Sequence, residues 1–202
     1  MRKVIGISVL LAAAIWWVSA YTEHNIQSAN FLATQSVIND NSTDILDYNL
    51  DFNITRREML KVMMNISGKN VTDTCSGNFS DVGSSDWGCK YAEAALREWY
   101  IAANNTFRPN DNVTQIEALK MIMQANSIPR DENNDWRAGY VSRGNTEWIL
   151  LEMFLDYDLA ATRGWIFSTG ARSYTEFDYV EPDYELTDEE EEIFKLFQEL
   201  GI

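Results

Sequence analysis

The sequence predicts an all-α fold built from three helix–loop–helix units. Residues 48–58 and 107–117 share an aromatic residue, an Asp or Asn three places later, an Asn, a β-branched residue and then Thr. Each stretch leads into apolar residues at helical spacing, and a third segment with such spacing closes the chain. No segment with the two-residue period of a strand competes with them. Recurrence at about 60 residues indicates a repeat architecture.

Residues 1–20 are predicted to be a secretory signal peptide. Arg2 and Lys3 precede an uncharged apolar run over residues 4–18, and the small residues Ser19 and Ala20 complete a cleavage site. The run is shorter than the roughly 20 apolar residues that cross a bilayer comfortably. We therefore expect a secreted or cell-surface protein without a transmembrane segment after cleavage. An uncleaved N-terminal anchor is the alternative.

Both repeated stretches run directly into a helix that begins with a capping box. In Thr55-x-x-Glu58 and Thr114-x-x-Glu117, the Thr hydroxyl accepts from the N3 amide and the Glu reaches back to the N-cap amide. The apolar positions that follow match one for one: Met59, Leu60, Val62, Met63 and Ile66 in the first helix, and Ala118, Leu119, Met121, Ile122 and Ala125 in the second. We expect both helices to face a core.

The third capped helix is predicted at residues 187–200, where Thr187 and Glu190 precede another apolar stripe. Partner helices are predicted upstream over residues 22–38, 87–101 and 144–158. The units then cover residues 21–72, 73–130 and 131–202. Residues 162–185 are predicted to be a long aromatic loop, which is either a surface for contacting sugars or a cover for the third unit's core.

The net charge limits the classes of partner that the chain is expected to bind. The chain has 16 Lys and Arg against 31 Asp and Glu, a formal charge of −15, so it lacks the basic character expected for binding nucleic acid or anionic membranes.

Cys75 and Cys89 are the only cysteines. In an exported chain such a pair predicts a disulfide, which stabilises the fold by about 3 kcal/mol. With His24 the only histidine, a zinc site would need distant carboxylates, so we expect no metal and no cofactor.

The sequence carries no motif of a catalytic site. It lacks a nucleophile elbow, a His-Glu-x-x-His segment and a phosphate loop. His24 lies beside the predicted cleavage site, which is a poor place for a catalytic base. The acidic run 188–192 lacks the alternating ligands and central Gly of an EF-hand. We therefore expect a binding protein rather than an enzyme.

The middle unit resembles an S-layer homology repeat. It contains Phe79-Ser80-Asp81-Val82, Trp87, Tyr91, Thr106-Phe107-Arg108-Pro109-Asn110-Asp111, and then Val113, Thr114 and Glu117. These residues are similar to the family's run F-S-D-V, W, Y, T-F-R-P-N-D and I-T-R-A-E. The first unit matches mainly at residues 54–58 and the third by position. The resemblance implies three repeats arranged as a pseudo-trimer, with the capped helices as a central helical bundle.

The resemblance also implies a function. Family members hold surface proteins on the bacterial cell wall by binding an anionic, often pyruvylated, polysaccharide in grooves between repeats. The family's polymer-contacting Arg is kept as Arg56 in the first unit, is Gln115 in the second, and aligns with Glu190 in the third. The predicted polymer-binding residues are Arg56, Arg57, Trp87, Arg108 and Gln115. Arg56 could instead lie on a solvated helix face, Trp87 in the core, and Arg108 within its loop.

Two functions stay open at this point. The first is a module that binds the cell-wall polymer and anchors itself at the surface, which the retained Arg56 favours. The second is a structural module of the cell envelope that keeps the fold, has lost polymer binding and contacts other envelope proteins.

Overall fold

The computed structural model describes residues 23–41, 44–150 and 156–180. The helices, together with a 3₁₀ turn at Ile45–Tyr48, are α1 (residues 23–34), α2 (Arg56–Ile66), α3 (Cys89–Arg97), α4 (Gln115–Ala125), α5 (Trp136–Thr146) and α6 (Arg163–Arg172). These ranges contain isolated β-bridges but no strand, which confirms the all-α prediction for them. None of their helices has the length and apolar character needed to cross a membrane. The predicted signal peptide and the predicted helix over residues 187–200 lie outside the described residues.

Helices α2, α4 and α6 begin in the same way. Their N-cap residues Thr55, Thr114 and Thr162 all have an extended backbone, with φ of −82°, −81° and −81°. The two predicted capping boxes, at α2 and α4, are present. At α6 the Thr162 hydroxyl accepts from the amide of Trp165 at 3.2 Å, and Trp165 stands where the other helices have Glu. Each of these caps satisfies amides that a helix N-terminus leaves unpaired.

The predicted loop over residues 162–185 is wrong in its first half, because residues 163–172 form α6. Its glycines lower helix propensity and obscure the pattern, yet burial of Trp165 and Phe167 holds the helix against the core. At Gly164 a Cβ atom would lie 2.8 Å from the Asn25 side chain and 3.1 Å from the Leu50 carbonyl oxygen. Gly164 is therefore explained by close packing.

The partner helices also differ from their predicted bounds. The predicted helix over residues 144–158 is wrong at residues 147–150 and 156–158, which are not helical, since α5 begins at Trp136 and ends at Thr146. Residues 151–155 of that range lie outside the described residues. Asp135 caps its start by accepting from the amide of Arg137 at 3.0 Å. The chain then turns at Trp148, whose φ is 57°. Within the predicted range 87–101, α3 covers only Cys89–Arg97.

The segments that precede α2, α4 and α6 meet in a closed ring of backbone hydrogen bonds. Ile54 donates to Ala161 at 3.0 Å, Ala161 donates to Val113 at 2.9 Å, and Val113 donates back to Ile54 at 3.2 Å. All three residues are buried. Because buried amides must find partners, the ring fixes these segments against one another.

A second set of three backbone bonds joins the same three segments and runs in the opposite order. In each, the first residue of a helix donates to the segment before another helix: Arg56 to Asp111 at 2.9 Å, Gln115 to Leu159 at 2.9 Å, and Arg163 to Phe52 at 2.8 Å. The N-termini of α2, α4 and α6 thus converge on one region of the molecule.

The core lies between the same helices. Helix α2 contacts α3 and α4, and α4 also contacts α5 and α6. Leu60 and Met63 of α2, and Leu119 and Ile122 of α4, are fully buried, as their helical spacing predicted. Each contributes roughly 1.5–3 kcal/mol by removing apolar surface from water.

A disulfide and a buried carboxylate hold the loop before α3. The sulfur atoms of Cys75 and Cys89 are bonded to each other, with Cα atoms 5.7 Å apart. The carboxylate of buried Glu93 accepts hydrogen bonds from the amides of Ser76, Gly77 and Asn78 at 2.7–3.2 Å. Burial alone would raise the pKa of Glu93, but these hydrogen bonds outweigh it and lower the pKa. Because the two sulfur atoms are bonded to each other, neither Cys75 nor Cys89 offers a free thiolate to a metal ion.

Candidate functional site

Arg56 uses its side chain within the molecule. Its Nε donates to the carbonyl oxygen of Phe107 at 3.0 Å, and its Nη1 lies 3.5 Å from Oε1 of Glu117. The guanidinium also lies over the Phe107 ring, 5.3 Å from its centroid. Burial lowers the pKa of Arg56, with a smaller lowering from Arg108, against the opposing effect of Glu117. With 14% of its side chain exposed, Arg56 mainly joins α2 to the segment before α4.

Arg163 makes the same contacts at another junction. Its Nε donates to the carbonyl oxygen of Tyr48 at 2.9 Å, and its Nη1 lies 3.3 Å from Oε1 of Glu58. Its guanidinium is 5.6 Å from the Phe167 ring centroid. Sequence reasoning missed Arg163, although Thr162-Arg163 repeats the Thr55-Arg56 pair and could have revealed it.

The first residue of α4 carries no guanidinium. Gln115 occupies that place, where the family has Arg, and its amide makes the equivalent backbone bond to Leu159. On α6 the corresponding residue is Arg163, whereas Glu190 lies outside the described residues. The set of equivalent first residues is therefore Arg56, Gln115 and Arg163.

The structure brings Arg57 and Trp87 together. The Arg57 guanidinium is 5.5 Å from the Trp87 ring centroid, and its Nη1 donates to Oδ2 of Asp86 at 2.9 Å. Its Nη2 donates to the side chain of Asn110. Trp87 is 46% exposed, so it is not a core residue. The cation and the Asp86 contact together orient the indole at the surface.

A groove of about 220 Å³ opens beside Trp87. Its described lining combines the segments after α1 and before α2 and α3 with one face of α2 and the start of α6: Val37, Ile38, Asn39, Asn41, Tyr48, Ile54, Glu58, Lys61, Val62, Trp87, Arg163 and Phe167. Among these residues, Trp87 is the only one of the five predicted polymer contacts. The groove therefore contains an indole and two cations, Lys61 and Arg163.

Lys61 differs from the other cation in the groove. Arg163 is held by Glu58 and by the Tyr48 carbonyl group. Lys61 is partly exposed and pairs with no carboxylate in the described ranges. An ammonium beside an indole can pair with a carboxylate while the indole stacks on a sugar ring. The groove is thus chemically suited to an anionic carbohydrate.

Arg108 lies outside this groove. Its backbone has φ of 60°, and its exposed side chain lies 3.6 Å from Asp111. Oxygens of Asp81 accept from the amides of Phe107 and Arg108 at 2.8 and 2.7 Å. Asp81 therefore fixes the 107–111 loop. Burial would raise the pKa of Asp81, but these hydrogen bonds lower it.

Two known similarities bear on this geometry. Residues 78–119 match the S-layer homology domain family, which confirms the predicted resemblance for that part of the chain. Over 126 residues the chain is 27% identical to the middle cell wall protein of Brevibacillus brevis. The match covers 60% of this chain and 12% of that protein, so the chain spans about an eighth of the relative's length. Together they support a location at the cell wall or cell surface and a role in cell-wall anchoring.

Proposed function

We propose that the chain anchors itself to a cell wall by binding an anionic wall polysaccharide in the groove beside Trp87. The observation that carries the proposal is Lys61, a cation with no carboxylate partner in the described ranges, in a groove that also exposes an indole. The polymer's negative groups would pair with Lys61 and its sugar rings would stack on Trp87. The match of residues 78–119 to the S-layer homology family supports this assignment.

We also infer a specific arrangement of the units. Each of the predicted ranges 21–72, 73–130 and 131–202 contains one of the helices with a Thr N-cap, namely α2, α4 and α6. The closed ring through Ile54, Val113 and Ala161 supports three repeats around a pseudo-threefold axis. In this arrangement the third capped helix is α6.

The predicted contacts take different roles in this proposal. Trp87 contacts the polymer, and Arg57 positions its ring. Arg56 positions the loop before α4, because its guanidinium is engaged by Phe107 and Glu117. Gln115 and Arg108 lie outside the groove and are assigned no contact with the polymer there.

The test is pelleting of the purified protein with wall sacculi, either carrying their anionic polymer or stripped of it. Loss of one charge-assisted bond costs about 1.5–3 kcal/mol, so Lys61→Ala should bind the polymer-bearing walls at least about tenfold more weakly. Trp87→Ala should weaken binding similarly. Lys90→Ala is the matched control, since Lys90 pairs with Asp73 at 2.7 Å and lies outside the groove. Wild-type binding by Lys61→Ala would remove the groove as the polymer site.

The intramolecular ion pairs of Arg56 and Arg163 favour a second candidate function. Both guanidinium groups already have intramolecular partners, as expected for an envelope protein that keeps the fold without binding polymer. In that case the wild-type protein fails to pellet with polymer-bearing walls and instead captures a purified envelope protein. Lys61→Ala would leave that capture unchanged.

A further inference from the structure

We propose that Trp99 and Trp148 form a second carbohydrate contact, separate from the groove, for an uncharged pyranose chain such as the glycan strand of the wall. They are the most exposed tryptophans in the described ranges, at 86% and 76%. The inference rests on the proposed function only for bringing the chain to the wall. Neither residue lines the groove beside Trp87.

The two tryptophans occupy the same place in their units. Trp99 is the second residue after α3 and has φ of 62°, and Trp148 is the second residue after α5 and has φ of 57°. In each case the next amide closes the helix end: Tyr100 donates to Ala95 at 2.9 Å, and Ile149 donates to Gly144 at 2.9 Å. This is the left-handed helix ending at which Gly is favoured.

Folding does not explain an indole at this position. A left-handed backbone crowds the Cβ of any side chain except that of Gly, and a side chain this exposed gains little from burial. Ser36 shows that a small residue is sufficient, since it ends α1 with φ of 59° and the following amide of Val37 closes the turn onto Leu32 at 2.9 Å. Ser127 ends α4 in the same way, with φ of 58°. Two of these four helix ends thus carry a ring that burial does not explain.

The surroundings favour a sugar over a protein partner. Protein hot spots are desolvated pockets ringed by other contacts, whereas each of these rings follows a Glu and lies among charged side chains. Glu98 lies near Lys69 and Arg97, and Glu147 lies 3.4 Å from Arg143. Because both positive and negative groups lie there, these surroundings can hydrogen-bond the hydroxyl groups of a ligand. They do not favour a ligand with a net charge. An isolated indole face matches the C–H face of a pyranose ring.

The duplication itself points to a repeating ligand. Two equivalent contacts on one molecule suit a ligand that presents the same group more than once. A polysaccharide chain does so. The groove would then recognise the charged polymer, and the two tryptophans would contact the neutral glycan.

The test uses the full chain with both tryptophans replaced, as Trp99→Gly with Trp148→Gly. Binding to walls stripped of anionic polymer should fall about tenfold or more because both ring contacts are removed. The melting temperature should stay equal or rise, because Gly suits the left-handed position. A Trp→Asn pair is the second ring-free variant, since Asn tolerates this conformation. A Trp→Phe pair should keep part of the binding.

Ser36→Gly is the matched control, because it changes the equivalent helix end without removing a ring. It should leave binding to stripped walls unchanged. Unaltered binding by both ring-free pairs, or absence of wild-type binding to stripped walls, would overturn the inference. The proposed function fails separately, if Lys61→Ala keeps full binding to polymer-bearing walls. If the ring-free pairs lose only the capture of a purified envelope protein, the surface belongs to a protein partner and the inference is wrong.

Discussion

His24 shows how a residue that looks chemically useful can be structural. It is buried on α1, with Nδ1 3.4 Å from the Ser28 hydroxyl and 3.2 Å from the Ser168 hydroxyl. Its ring meets Phe177 edge-on at 6.0 Å between centroids. Burial, assisted by the charge of Arg172, lowers the pKa of His24 to about 4. His24 is therefore neutral at pH 7 and ties α1 to α6.

Stability should depend on pH through this residue. The unfolded chain protonates His24 below about pH 6.5 while the folded protein resists down to about pH 4. The stabilising contribution of neutral His24 is therefore present above pH 6.5 and is lost as the pH falls from 6.5 towards 4. The free energy of unfolding should drop by about 2 kcal/mol between pH 7 and pH 5. Urea unfolding at the two pH values measures it.

His24→Gln is the comparison variant for that experiment. It should be less sensitive to pH over the same interval, whatever its stability at pH 7. An identical loss of stability in both proteins between pH 7 and pH 5 would show that other groups cause it. Glu93 is not among them, because its lowered pKa places its effect below pH 4.5.

At the scale of single helices, the N-caps make the most direct contribution to stability. Thr114 accepts from the amide of Glu117, and Glu117 accepts from the amide of Thr114. Thr114→Ala should lower the free energy of unfolding by about 1 kcal/mol, and Thr114→Ser should restore most of it. Denaturant unfolding measures both. Thr146→Ala, at the exposed end of α5, should stay within about 0.5 kcal/mol of the wild type. Equal effects at the two positions would argue against the capping explanation.

The helices also show which signals the sequence carries. Helices α2 and α4 were predictable because a capping box and an apolar stripe reinforce each other. Helix α6 was not, because Trp165 replaces the capping Glu and Gly164 weakens the propensity signal. Arg163 was missed with it. The preference of α6 for helix comes from burial against distant residues, which a local pattern does not reveal.

The candidate site was less predictable than the helices. Trp87 was identified through the family resemblance, and Arg57 through its place beside Arg56. Lys61 and Arg163 meet Trp87 only after chain segments far apart in sequence have folded together. Arg56, the residue the resemblance favoured most, has its guanidinium engaged within the molecule.

At the scale of the whole molecule, the disulfide closes the loop that leads into α3. Replacing both cysteines, as Cys75→Ser with Cys89→Ser, should lower the free energy of unfolding by about 3 kcal/mol. Reduction of the wild-type protein should produce a similar loss and should not affect the double variant. Thermal unfolding with and without reductant measures this. A wild type that is insensitive to reductant would contradict it.

The ring through Ile54, Val113 and Ala161 has a consequence for how such a molecule can change in length. In an open solenoid, a unit can be gained or lost at an end with little effect on the others. Here each segment gives one amide and receives one at a buried position. Removing any segment leaves one buried donor and one buried acceptor without a hydrogen-bond partner, at a cost of about 1–3 kcal/mol for each group. In the proposed arrangement of three repeats, closure of the ring fixes their number, so a change in length would add or remove the whole assembly rather than a single unit.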